Sequence, residues 1–151
     1  MSAPLSTISP IDGRYNSQVQ ELKTIFSEYG LIRYRVFVEI CWLEHLAENH
    51  LIKELPKFSK TAIEHLGSLK ENFCLQDAER IKEIESSTNH DVKAVEYFIK
   101  EKLSDIEELK NSIHFIHFAC TSEDINNLAQ CSISESNWND ILEVKKAVSK
   151  I

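Results

Sequence analysis

The sequence predicts an all-α fold, and three observations carry that prediction. Glycine and proline number only three each in 151 residues, so turns are scarce and long helices are favoured over many short strands. Apolar residues recur at spacings of three and four through most of the chain, as helices with a buried face require. Good N-cap residues, Ser27, Ser59, Asn89 and Thr121, stand at the heads of those runs. Hydrophobic residues make up 42% of the chain, enough for one domain with a real core, or one domain and part of a second. There is no internal repeat or low-complexity linker.

Two of the three prolines, and Gly13, fall in residues 1–16, which read as an extended arm. A turn is expected at Ser9-Pro10-Ile11-Asp12-Gly13-Arg14-Tyr15, with Gly13 supplying a positive φ. Val19, Leu22, Ile25 and Phe26 predict a short helix over 17–25. Ser27 caps a longer one that runs to about 48 and buries Leu31, Tyr34, Phe37, Val38, Cys41, Trp42, Leu43, Leu46 and Ala47. Arg33, Arg35, Glu39, Glu44 and Glu48 are placed mostly on its opposite side, and His45 and His50 near its end either face solvent or partner its C-terminal dipole. After Pro56, Ser59 caps a helix over 60–72 with Ile63, Leu66, Leu69 and Phe73 inward. A charged helix follows over 75–85. Small polar residues end it, and Asn89 caps a helix over 90–103 with Val92, Val95, Phe98, Ile99 and Leu103 inward. Residues 104–112 form a charged connector, and the apolar run 113–120 delivers the chain to Thr121, where another helix starts. These elements divide the chain into a compact helical domain, 1–111, and the truncated start of a second helical unit, 112–151. After Gln130 the sequence turns polar at 132–140, before a last amphipathic pattern of Ile141, Leu142, Val144, Val148 and Ile151.

Composition narrows the function classes. Seventeen Lys and Arg against 24 Asp and Glu give a formal charge of −7, which disfavours nonspecific binding to nucleic acid or anionic membrane. Cys41, Cys74, Cys120 and Cys131 form no CxxC pair, so neither a zinc ribbon nor a thioredoxin-type motif is indicated. No signal peptide and no apolar run of about 20 residues is present. Reduced thiols in a cytoplasmic protein are the expectation.

Three places have the residue types for chemistry. At Arg14-Tyr15 a cation beside an aromatic can hold a phosphate and stack on a base, although for one such pair a solvated Arg on a surface loop is the better explanation. Asn89, His90 and Asp91, with Lys93 beyond, gather donors at a helix start that suits an anionic ligand, and His90 is a candidate proton carrier. The plainer explanation is a capped helix with an acid set against its dipole. Thr121 and Ser122 place two hydroxyls at another helix start, with Asp124 three positions on where a capping-box acid sits. His114 and His117 are three apart, but no third ligand accompanies them, and packed, hydrogen-bonded histidines are the better reading.

Taken together, SPIDGRY at 9–15, TNHDVKAVEYFIKEK at 88–102 and IHFACTSEDINN at 116–127 resemble the adenylosuccinate lyases of the fumarase/aspartase superfamily. FSEYGLIRYRVFVEICWL at 26–43 is similar too, and the resemblance is nearly colinear over residues 5–130. The resemblance implies that Arg14 and Tyr15 contact the nucleotide end of the substrate. By the same route Asn89, His90 and Asp91 form a substrate-binding motif with His90 near the reacting centre, and Thr121 and Ser122 bind a succinyl carboxylate. The implied reaction is β-elimination of fumarate from adenylosuccinate to give AMP, and from the succinyl-carboxamide intermediate of purine synthesis. It needs no metal or organic cofactor. Family members are about three times this length and are homotetramers with sites shared among subunits. Their later acid histidine and the Ser-rich loop resembling SSxMPxKxNP have no counterpart here. The isolated chain is therefore expected to keep binding groups without turnover. Two other expectations stand beside this one: a split-gene subunit working with a C-terminal partner chain, and a non-catalytic helical interaction module. Argininosuccinate lyase and fumarase fit the SPIDGRY and NHD segments less well.

Overall fold

The long apolar run of the sequence becomes the axis on which the other helices pack. The computed structural model describes residues 5–136, and every regular element among them is helical. A four-residue α1 (Lys23–Phe26) leads into α2 (Glu28–Glu48). Then come α3 (Lys60–Glu71), α4 (Leu75–Thr88), α5 (Asp91–Leu103), α6 (Glu107–Lys110) and α7 (Ser122–Ser136), with 3-10 turns at Asn16–Gln18 and Ile113–Phe115. Helices α3, α4, α5 and α7 all touch α2, and α4 lies along α5.

The Ser27 hydroxyl starts α2 by accepting from the Gly30 N–H at 3.2 Å. Gly30 is needed there for space, because a Cβ on it would stand 2.2 Å from the Ile25 carbonyl oxygen. The main core forms between α2, α3, α4, α5 and α6 around Ile40, Leu43, Leu66, Ile81, Ile99, Leu103 and Leu109, all essentially inaccessible. Each contributes roughly 1.5–3 kcal/mol by leaving water. A smaller cluster, Val38, Val92, Ile125 and Ala129, joins α2, α5 and α7. Polar ties hold the periphery: the Ser59 N–H and hydroxyl both donate to Glu108, at 2.7 and 2.6 Å, and the Tyr29 hydroxyl donates to the Phe73 carbonyl at 3.0 Å.

Several expectations are corrected. The helix over 17–25 is two short pieces, because Leu22 and Phe26 remain exposed and no burial supports a continuous helix. Helix α4 runs past 85 to Thr88, since the hydroxyls of Ser86 and Ser87 donate back to the carbonyls of Glu83 and Ile84 and are accommodated within the helix. Ile63 and Phe37 are exposed rather than inward. Arg35 and Glu39, assigned to the outer side of α2, are buried at 8% and 1% exposure, because α7 and the segment at His117 that leads into it cover the flank that a single-helix reading leaves wet. No glycine among the described residues has positive φ. A Cβ on Gly13 would instead meet the Thr7 hydroxyl oxygen at 2.4 Å, so that side chain would have to move aside. The polar stretch from Ser132 continues α7 to Ser136, whereas the 141–151 pattern lies outside the described residues. His45 and His50 are exposed, and the inward set of α5 is buried, as the sequence predicts.

Candidate functional site

At the α4–α5 junction the chain must reverse within two residues. Asn89 does this in the left-handed region, φ 51°, and closes α4 by donating its N–H to the Glu85 carbonyl at 2.8 Å. Asparagine tolerates that conformation better than most residues. Asn89 thus ends α4 instead of capping α5, and the cap passes to His90. Its backbone is extended, and its Nδ1 accepts the Lys93 N–H at 3.1 Å. Asp91 then occupies the first turn of α5. One carboxylate oxygen accepts the Val92 N–H at 2.8 Å and the other pairs with Arg35 at 2.7 Å. Partial burial opposes its charge, but the Val92 N–H and the Arg35 guanidinium prevail and hold the carboxyl below the usual carboxylate range.

The approach to α7 is anchored to α2 at two points. Trp42 donates its indole N–H to the Phe118 carbonyl at 2.8 Å. The Glu39 carboxylate meets both the backbone N–H of His117 at 3.1 Å and its ring Nδ1 at 2.6 Å. His117 and Ala119 adopt positive φ, 62° and 58°, so the run is a folded turn, and His114 and His117 do not share a helical face. His117 is the hydrogen-bonded histidine the sequence predicts, while His114 is exposed. Burial pushes the Glu39 carboxyl up, against the hydrogen bonds and charge of His117.

Thr121 then starts α7, and the acid at the third position completes the cap although it is Asp. Asp124 accepts the Thr121 N–H at 2.7 Å and the Thr121 hydroxyl at 2.9 Å, which holds its carboxyl below the usual range. An anion arriving here competes with Asp124 for those donors. Ser122 is not occupied in that way. Its Oγ lies 3.4 Å from Nε2 of His90, so two of the sequence-predicted motifs, 32 residues apart, meet. Arg35 reinforces the junction, since its Nε donates to Asn126 of α7 at 2.9 Å while its Nη2 holds Asp91. Sequence reasoning missed Arg35, Glu39 and Asn126. The available signal was two charges one turn apart inside a helix otherwise apolar around most of its circumference.

Arg14 and Tyr15 stand apart. They follow the turn closed by Gly13 N–H to the Ser9 carbonyl and Tyr15 N–H to the Pro10 carbonyl, both at 3.0 Å. The guanidinium lies over the Tyr15 ring at 5.1 Å. No hydrogen bond or ion pair among the described residues joins them to the His90–Ser122 junction.

The cations nearest the junction are already paired: Arg35 with Asp91, and Lys93 and Lys100 with the buried Glu96. What remains for a ligand is the His90 ring and the Ser122 hydroxyl beside two helix starts. Among the described residues no group of three His, Cys, Asp or Glu could hold a metal ion, and no helix is long and apolar enough to cross a membrane. All four cysteines are free.

Comparison with known proteins bears on this arrangement. A family model described as lyase matches residues 13–146, past the Gln130 limit read from the motifs. Adenylosuccinate lyase of Escherichia coli K12 is 51% identical over 138 residues, which is 91% of this chain and 30% of that protein. The adenylosuccinate lyase of Haemophilus influenzae is 49% identical over 149 residues, 97% of this chain and 33% of that protein. That of Legionella pneumophila strain Corby is 48% identical over 147 residues, 97% of this chain and 30% of that protein. The chain spans about a third of the length of the curated relatives it matches.

Proposed function

The chain belongs to this lyase family, and from that premise we propose that it supplies the N-terminal part of an adenylosuccinate lyase site. The reaction is elimination of fumarate from adenylosuccinate, leaving AMP, and from the related succinyl-carboxamide of purine synthesis. A proton leaves the carbon next to a carboxylate, the C–N bond breaks, the C=C bond of fumarate forms, and the departing nitrogen takes a proton. In this reading Ser122 and Thr121 bind a succinyl carboxylate, Asn89, His90 and Asp91 surround the reacting end, and Arg14 with Tyr15 takes the nucleotide end. Preorganised donors at such a site stabilise the negative charge that develops during proton removal. The division into units 1–111 and 112–151 and a cytoplasmic location belong to the same proposal.

The observation that carries the reading is the approach of His90 and Ser122 to 3.4 Å, within a chain about half identical to adenylosuccinate lyases. The acid and base of the reaction are assigned to the part of the relatives' length that this chain does not span. An apolar groove of about 500 Å³ between α2 and α7, lined by Phe37, Trp42, Cys120 and Leu128, favours assembly with further helices.

The test is an absorbance assay of succinyl-purine cleavage. The chain is assayed alone and then mixed with the C-terminal two thirds of the Escherichia coli relative as a separate polypeptide. No turnover is expected alone, and turnover is expected in the mixture, reduced at least tenfold by Ser122→Ala. Robust AMP formation by the chain alone would falsify the assignment of acid and base to another segment. A mixture that neither forms a complex nor releases fumarate removes the lyase reading for this chain.

A further inference from the structure

The geometry points to a specific role for His90: we infer that its neutral ring is held as the Nε2–H tautomer and serves as a hydrogen-bond donor, not as a base. A neutral imidazole carries one N–H and one lone pair, and its partners decide which nitrogen has which. The Lys93 backbone N–H can only donate, and it points at Nδ1 from 3.1 Å. Nδ1 therefore presents its lone pair, and the proton sits on Nε2. Among the described residues, the group that favours the opposite tautomer is Asp91, 3.7 Å from Nδ1. That separation exceeds hydrogen-bond length, and the close contacts of the Asp91 carboxylate are with the Val92 N–H and Arg35 instead.

The donor end faces Ser122. With Nε2 to Oγ at 3.4 Å, the Ser122 oxygen accepts from His90 and its own proton is left for a ligand. His90 and Ser122 thus form a pair of neutral donors suited to one carboxylate. On the lyase reading above, on which this part rests, that carboxylate belongs to the succinyl group. For Nε2 to remove a proton from carbon, the ring proton would have to move to Nδ1, and the cap on α5 would be lost. Structural duty therefore fixes the chemical one: the bond that starts α5 removes the basic lone pair from the ligand side.

The test uses the whole chain labelled with ¹⁵N-histidine and a long-range ¹H–¹⁵N correlation above the imidazole titration range. The chain has six histidines, and the His90 signals are those missing from His90→Gln. A pyridine-like Nδ1 and a pyrrole-like Nε2 are expected, and the reverse pattern overturns the inference. A second readout is the Lys93 amide. Its exchange should rise about tenfold in His90→Ala and stay near the parent rate in His90→Asn, whose side-chain oxygen also accepts at an N-cap. Equal exchange in His90→Ala and the parent chain overturns it as well. Neither readout requires turnover. A reversed tautomer removes the donor role and leaves the lyase reading standing, and failure of the mixed assay with the tautomer as expected removes only the latter.

Discussion

At the Arg35 guanidinium two candidate motifs are tied together, and the magnitude of that tie can be argued. Arg35 is nearly inaccessible, while the Asp91 side chain retains 45% exposure. Breaking a fully buried pair costs about 3–5 kcal/mol, but water reaches Asp91 here, so Arg35→Met should cost about 1–3 kcal/mol, the range for removing one hydrogen-bonding partner. A urea titration should show a lower midpoint with an unchanged slope. The pH dependence has a definite sign. The folded Asp91 carboxyl titrates below its unfolded value, so its contribution is present above the unfolded value and is lost as pH falls through the folded one. In Arg35→Met that acid limb should flatten. Glu39 runs the other way, because burial raises its carboxyl despite His117. Between the ordinary carboxylate value and the raised one, the folded chain keeps a proton that the unfolded chain has lost. Stability therefore falls across that window as pH rises. Glu39→Gln should remove this slope, and urea midpoints measured across pH would reveal it. A slope that persisted unchanged would place the titration elsewhere.

Elements show what the sequence made legible and why the rest was hidden. The start and end of α2, the inward set of α5 and the Thr121 cap follow from local rules, spacing and side-chain oxygens, and they are found within a residue or two. The His90 cap was missed because Asn89 is the better cap by composition. The need for a left-handed residue to close α4 competed for Asn89 and won. Arg35 and Glu39 were misplaced because a helix read alone is assumed to have one wet side, whereas packing by α7 is a long-range fact. The meeting of His90 with Ser122 was unreadable from spacing, because it joins residues 32 apart through the packing of α7 on α2 and α5. Two helix-level predictions follow from the geometry. Asp124→Ala strips the Thr121 N–H and hydroxyl of their shared acceptor and should fray the start of α7, seen as faster amide exchange over its first turn. Gly30→Ala drives a methyl into the Ile25 carbonyl. By the cost of overpacking it should lose about 1–3 kcal/mol, although helix propensity alone predicts a gain. A thermal midpoint at or above the parent would show that α1 moves aside freely.

Among the described residues two apolar clusters share α2, and they are unequal. The larger uses α2 to α6 and reaches Ile116, and none of its members lies in α7. The smaller depends on Ile125 and Ala129 of α7, set against Val38 and Val92. The division of the chain proposed above thus becomes a question about energy: how much of the first unit's stability comes from the second. Ending the chain at Cys120 would leave the larger core complete. It would uncover Val38 and Val92 and remove the Asn126 partner of Arg35. Losing Ile125 burial alone forfeits roughly 1.5–3 kcal/mol, and an Arg35 hydrogen bond adds about 1 kcal/mol. These losses are a substantial part of the 5–15 kcal/mol typical of a native domain, yet smaller than the whole. The shortened chain should therefore still melt in one cooperative transition, at a lower midpoint, with far-ultraviolet helicity reduced by little more than the α7 contribution. If 1–120 loses cooperativity altogether, α7 is part of the first folding unit and the boundary near 111 is wrong. If its midpoint equals the parent's, the α2–α7 contact carries no stability, and the meeting of His90 with Ser122 would have to be held by whatever else packs on α7.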